Sequence, residues 1–134
     1  MQRLLRNSFA CFSKYYSKSH EWIAPASAGL YNVGISDHAQ NSLGGVVHLA
    51  FNPKNKAYEA GKEVAEIESS KAVAQIYAPV ALEIKETNDN LIADLNQIND
   101  KAEDTWILRV KVKNEADLKA LMNQNQYEEF LKTQ

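Results

Sequence analysis

Val64-Ala65-Glu66-Ile67-Glu68-Ser69-Ser70-Lys71-Ala72-Val73-Ala74-Gln75-Ile76-Tyr77 is the stretch on which the reading of this chain turns. Its two flanks carry β-branched and apolar residues in alternation, the pattern of strands with one face buried. Between them lie Glu68 to Ala72, every one polar or small. The spacing predicts a hairpin with Lys71 at its tip. Gly61 marks a turn before the first arm, and Pro79 ends the second because proline has no N–H to give to a ladder.

Outward from the hairpin, short strands alternate with turn signals. Upstream, Leu30 to Ile35 predicts a strand, Ser36 caps a short helix over Asp37 to Leu43, and Gly44 ends it. Gly45 to Phe51 resumes a strand, and Asn52-Pro53-Lys54-Asn55 turns it, Asn55 being a residue type that tolerates left-handed backbone. Downstream, Ala81 to Glu86 predicts a further strand, Asn88 the cap of a helical piece through Leu95, and Trp106 to Val112 an alternating strand. Asn114, with Asp117 three residues on, reads as a capping-box start for a C-terminal helical region whose buried side is Leu118, Leu121, Met122, Phe130 and Leu131. The expected class is mainly β, a small barrel or sandwich with short helices and a C-terminal helical region.

At 134 residues, 45% hydrophobic and 24% charged, the chain fits one ordinary folded domain rather than wholesale disorder. No apolar run approaches the ~18 residues needed to span a bilayer, so no membrane anchor is expected. The single cysteine, Cys11, leaves no partner for an intramolecular disulfide and no thiolate cluster for a metal. Residues 1–20 hold Arg3, Arg6, Lys14 and Lys18 without an acid, a charge of +4, and the remaining chain carries −6. Such acidity argues against nucleic acid, which selects a basic footprint. On a helical wheel Leu5, Phe9, Phe12 and Tyr16 share one arc and Arg3, Arg6 and Lys14 another. That basic, serine-containing, acid-free pattern predicts a mitochondrial transit peptide over residues 1–18, a folded domain over residues 19–134 and residence in the mitochondrial matrix.

Few residues offer chemistry. His20, His38 and His48 are far apart in sequence and lack metal-ligand spacing, so no metal site is expected. Ser36-Asp37-His38 has the residue types of a triad, but adjacent side chains diverge, and a triad is defined by geometry. Gly44-Gly45 lacks phosphate-loop spacing, and Trp22 and Trp106 read as packing residues. No nucleophile, base and orienter assemble, so no catalytic residue and no enzyme are expected. Lys71 stands out: an amine on a rigid tip, flanked by Ser70 and Ala72, has the display that a covalently attached group requires. An arm there would act by effective concentration, holding a reactive group near successive partners.

The residues also resemble a known family. Ser19-His20-Glu21-Trp22, Val33-Gly34-Ile35-Ser36-Asp37-His38-Ala39-Gln40, Leu43-Gly44, Glu68-Ser69-Ser70-Lys71-Ala72, Tyr77-Ala78-Pro79-Val80, Asn88, Leu91, Asn99, Trp106 and Tyr127-Glu128-Glu129-Phe130-Leu131 stand in the order and spacing of glycine cleavage system H proteins, in their mitochondrial form. The resemblance implies a hybrid barrel-sandwich, lipoyl-domain-like fold and lipoate joined by an amide to Lys71. It also implies that Glu68, Ser69 and Ala72 help lipoylation enzymes recognise the hairpin. In the family cycle a pyridoxal-phosphate glycine decarboxylase (P protein) loads an aminomethyl group on the arm. A tetrahydrofolate-dependent aminomethyltransferase (T protein) removes it, and lipoamide dehydrogenase (L protein) reoxidises the dithiol. The chain would then be a carrier, with positioning of the arm and shielding of its load as its own contribution. Gly45, Ala65 and Leu82 replace residues usual in the family (Asp, Gly and Gly), and Lys101-Ala102-Glu103-Asp104-Thr105 replaces a Pro-Tyr-Gly loop. These departures keep open an H-like protein that relays lipoate or scaffolds other complexes without turning over glycine. A lipoyl or biotinyl domain of another complex fits less well, since biotin domains place Met on both sides of the lysine.

Overall fold

The computed structural model describes residues 14–134. Among these residues nine antiparallel strands form two sheets. The larger runs in the order β1 (Tyr15–Tyr16), β2 (Glu21–Pro25), β3 (Tyr31–Ile35), β9 (Leu108–Val112), β8 (Leu82–Thr87), β5 (Lys56–Tyr58). The smaller holds β4 (Val46–Phe51), β6 (Glu63–Ser69) and β7 (Val73–Tyr77). Their inward-facing residues, among them Val33, Leu49, Val64, Ile67, Ile76, Leu82, Ile84, Leu108 and Val110, share one buried core. Alternation along each strand is what allows this, since successive side chains leave opposite faces. In β9, for instance, Leu108, Val110 and Val112 are buried while Lys111 is exposed.

Helix α1 (Asp37–Leu43) has the expected ends: Ser36 Oγ accepts from the Ala39 N–H at 3.1 Å, and Gly44 leaves the helix at φ +87°. Asn55 takes the left-handed backbone its type allows, at φ +60°. Other boundaries differ from expectation. The strand expected over Ala81 to Glu86 sits one residue later. The helical piece after Asn88 is a 3-10 turn over Asp89–Ala93, and Asn88 caps nothing: its amide donates instead to the Trp106 carbonyl at 2.7 Å, bracing β9. Helix α2 (Asn96–Asp100) and a 3-10 turn (Ala102–Asp104) come next. Asn114 does cap through its side chain, but the segment it opens is a 3-10 turn (Glu115–Ala120), and Asp117 closes no box. The reciprocal box lies at Asn123 and Gln126, which start helix α3 (Gln124–Leu131). An amide at the third position satisfies the cap N–H as an acid would, so the pattern Asn-x-x-Gln was the signal to read.

Tyr16 also differs from expectation. Leu5, Phe9, Cys11 and Phe12 lie outside the described residues, but Tyr16, expected to belong to the address helix, is strand. It pairs with Trp22, exchanges backbone bonds with Met122 and is 2% exposed. Lys14 Nζ stacks 4.5 Å over the Trp22 ring and meets Glu103 at 3.0 Å. Lys14 and Tyr16 thus pack with the rest of the fold, because the Tyr16 ring takes apolar surface out of water against Trp22 and Tyr127. Ala65 and Leu82, where the family usually has glycine, are both buried, and their side chains fill core volume that a glycine would leave open.

Candidate functional site

The hairpin forms with β6 and β7 in register, Glu68 opposite Val73 and Ile67 opposite Ala74. β6 runs on to Ser69, so the tip is Ser70, Lys71 and Ala72. Ser69 turns inward, 5% exposed, and its hydroxyl accepts from the N–H groups of Lys71 at 3.1 Å and Ala72 at 3.0 Å. Its own N–H donates to the Ala72 carbonyl at 2.8 Å. One serine thus holds the tip backbone from within, as local side-chain bonds do in tight turns. Lys71, Glu68, Ser70 and Ala72 are exposed. Of the four residues the sequence singles out, Lys71, Glu68 and Ala72 are open to a partner, and Ser69 shapes the turn that presents them.

The base of the hairpin is tied to the other sheet by a residue whose role the sequence did not reveal. Glu21, 2% exposed at the start of β2, accepts from Ser17 Oγ at 2.6 Å and from the N–H of Tyr77, the last residue of β7, at 3.1 Å. Burial raises its carboxyl above the ordinary range, and the bonds from Ser17, Ser19 and Tyr77 oppose that shift. No periodicity distinguishes a strand-end acid that spans two sheets from one that faces water.

Behind α1 lies a second polar cluster, which joins residues that the sequence kept apart. His20, in left-handed backbone at φ +74°, meets Tyr127 Oη through Nδ1 at 2.7 Å, and its ring centre is 4.6 Å from that of His38. Tyr127 Oη also bonds Ser36 Oγ at 2.7 Å, and its ring stacks on Tyr16 at 4.3 Å. Tyr16 Oη donates to Glu103 Oε1 at 2.7 Å, and Glu103 Oε2 accepts from the Asp37 N–H at 2.8 Å. Burial works against the Glu103 anion, but bonds from Tyr16, Asp37 and Lys14 outweigh it and hold the carboxyl below its usual range. Burial, then Glu103, drives the Tyr16 phenol far above its ordinary value. The loop 101–105 is therefore structural in this chain: Glu103 joins β1 to α1, and the Ala102 carbonyl accepts from Trp22 Nε1 at 3.0 Å. Among the described residues no group of three or more His, Cys, Asp or Glu is placed to hold a metal ion.

Burial, then the neighbouring His38, keeps the His20 imidazole below its ordinary value of about 6.5. A depressed histidine stabilises the fold while neutral, and that stability is lost as pH falls through and below the ordinary value. The melting temperature should thus fall from pH 7 to pH 5 more steeply in the parent than in His20→Asn, since asparagine tolerates the left-handed backbone and does not titrate. Parallel slopes would assign the acid sensitivity to other groups.

Two antiparallel sheets about one core, with a braced hairpin presenting a single lysine, define a lipoyl-domain-like barrel-sandwich. The family described as "Glycine cleavage H-protein" matches residues 14–134. A probable glycine cleavage system H protein of Pyrococcus furiosus is 41% identical over 120 residues, covering 89% of this chain and 90% of that one. The glycine cleavage system H protein of Rhodospirillum rubrum is 36% identical over 118 residues, with 87% and 94% covered. The crystal structure of a glycine cleavage system H protein from Mycobacterium marinum superposes with a TM-score of 0.75 at 27% identity, over 87% of this chain and 94% of that chain. The chain belongs to the glycine cleavage H-protein family.

Proposed function

We propose that this protein is the lipoyl carrier of a glycine cleavage system, with the lipoyl group amide-linked to Nζ of Lys71. The observation that carries the reading is an exposed lysine at the tip of a braced hairpin in a chain of this family. The tip fits such a group: Ser70 and Ala72 are small and exposed, so a modifying enzyme reaches the amine without displacing a bulky neighbour. When bound, the group would supply a disulfide that accepts a one-carbon amine fragment and is later reoxidised. The chain's own residues hold the amine in place. Ser69 fixes the tip backbone, Glu21 ties Tyr77 to β2, and the Ile67 and Ile76 side chains anchor both arms in the core. Glu68 and Ala72 form the exposed surroundings that lipoylation enzymes would read.

The catalytic groups belong to the partners: glycine decarboxylase, aminomethyltransferase and lipoamide dehydrogenase. The acidity of the chain beyond residue 20, −6 by formal count, favours steering toward basic partner surfaces, and added salt should slow that association. No helix among the described residues is long and apolar enough to cross a membrane. The setting we propose is the mitochondrial matrix. That placement rests on the basic, acid-free N-terminal residues, the relatives compared being bacterial and archaeal. Cleavage should fall before Lys14, since a later cut would remove the Lys14 bridge to Glu103 and then β1.

Peptide mass spectrometry on the native protein, followed by reconstitution with the three partners, tests the reading. A lipoyl adduct on Lys71 with glycine turnover is expected. An unmodified Lys71 in cells whose other lipoyl proteins are modified would overturn it, and a modified Lys71 without turnover would favour the relay.

A further inference from the structure

The Lys71 side chain does not stand free above the tip. It lies across Gly44, so closely that a Cβ built on Gly44 would be 3.0 Å from Lys71 Cε and 3.5 Å from Nζ. Gly44 and Gly45 join α1 to β4; the Lys71 stem covers the Cβ position of Gly44, and nothing lies within 4 Å of that of Gly45. Asn99, on α2, brackets this pair. Its Nδ2 donates to the Gly44 carbonyl at 2.9 Å and to Gln40 Oε1 at 3.0 Å, while its Oδ1 accepts from the Val46 N–H at 2.9 Å. One amide side chain thus holds the carbonyl of the residue that ends α1, a side chain on that helix and the first N–H of β4 together, and fixes the glycine backbone between them. A lysine side chain left in solvent samples many rotamers, and ordering it costs conformational entropy. A backbone shelf beneath the stem removes part of that freedom in advance.

We infer that Gly44, held by Asn99, is a positioning element for the carrier amine: a shelf that sets the direction in which the Lys71 stem, and any group attached to it, leaves the hairpin. The inference rests on the carrier reading of Lys71. A side chain at position 44 would push Cε aside by a few tenths of an ångström and so tilt the stem that carries Nζ, and catalysis that depends on an amine in one place is sensitive to its placement.

Steady-state lipoylation of the intact protein by a lipoate-activating ligase, with free lipoate and ATP, separates this from a general effect on folding. Gly44→Ala adds both the contact and left-handed strain. Gly29→Ala, at φ +76° with nothing within 4 Å of its Cβ, controls for positive φ alone, Gly45→Ala adds neither, and Asn99→Ala loosens the Gly44 backbone without the strain that φ +87°, ψ −168° imposes on alanine. Expected are wild-type kinetics for Gly29→Ala and Gly45→Ala. For Gly44→Ala, kcat should fall by about fivefold or more with KM little changed, because the docking surface is intact and the amine is misplaced. Asn99→Ala should move kcat in the same direction. Gly44→Ala lipoylated as fast as Gly29→Ala, or a loss in Gly44→Ala that Asn99→Ala does not share, would overturn the shelf. A wild-type protein that the ligase does not modify would overturn the carrier reading itself.

Discussion

Lys71→Arg should abolish glycine turnover in the reconstituted system and remove the lipoyl adduct, while the melting temperature stays within about 2 °C of the parent. The chemistry is all-or-none at this position. A lysine amine forms the amide that a carrier needs, whereas a guanidinium stays protonated at any physiological pH and is no nucleophile. The fold has little stake in the head group, since Lys71 is exposed at the tip and makes no ion pair among the described residues. The tip is held by Ser69 and by the Lys71 N–H, which the substitution keeps. Retained turnover in a correctly folded Lys71→Arg protein would remove Lys71 from the carrier role. A large loss of stability would show instead that the stem is part of the fold.

The largest effect on stability is expected far from the hairpin, at Gly34. This residue pairs with Trp22 across β2 and β3, and a Cβ there would stand 2.5 Å from Trp22 Cζ2, 2.6 Å from Cε2 and 2.8 Å from the Thr105 carbonyl. Neither neighbour yields cheaply. The Thr105 oxygen is backbone, and the Trp22 ring is 3% exposed, donates to the Ala102 carbonyl and lies beneath the Lys14 ammonium. Moving the ring would break the indole bond and unseat the cluster it forms with Tyr16 and Tyr127. Overpacking with loss of a buried hydrogen bond should cost Gly34→Ala about 3 kcal/mol, a fall of roughly 10 °C in the melting temperature for a domain of this size. Calorimetry of the purified variant checks it, and a fall under about 3 °C would mean that the strand pair gives way more easily than its contacts imply. The lysine hairpin belongs to the other sheet, so Lys71 should still be modified in Gly34→Ala below its melting transition.

Local signals carried far in this chain. Alternation and small polar residues placed the Lys71 hairpin to within two residues, because strand faces and turn chemistry are set by neighbours in sequence. Ser36 and Gly44 located α1 for the same reason: a cap bond spans three residues, and left-handed backbone selects glycine. The mistakes fall where local rules compete. Asn88 carries the side chain of a cap, but the nearby Trp106 carbonyl takes its amide, and Asn114 opens a 3-10 turn rather than the helix that Asn123 starts. Tyr16 fits a helical wheel with residues 5, 9 and 12, yet a strand partner in Trp22 and a stacked ring in Tyr127 decide its backbone.

The residues read alone thus established that the chain is mainly β, that its hairpin carries one reachable amine, and, through a set of positions in characteristic order, which family it resembles. Tertiary packing alone determined what stands behind that amine. Asn99 grips a glycine pair more than fifty residues upstream, Glu21 reaches Tyr77 across 56 residues, and Tyr127 closes on His20 across 107. Such contacts join groups at separations where no period and no steric rule links one residue to the next. They exist because packing two sheets about a core brings remote polar groups out of water together, where each must find a partner.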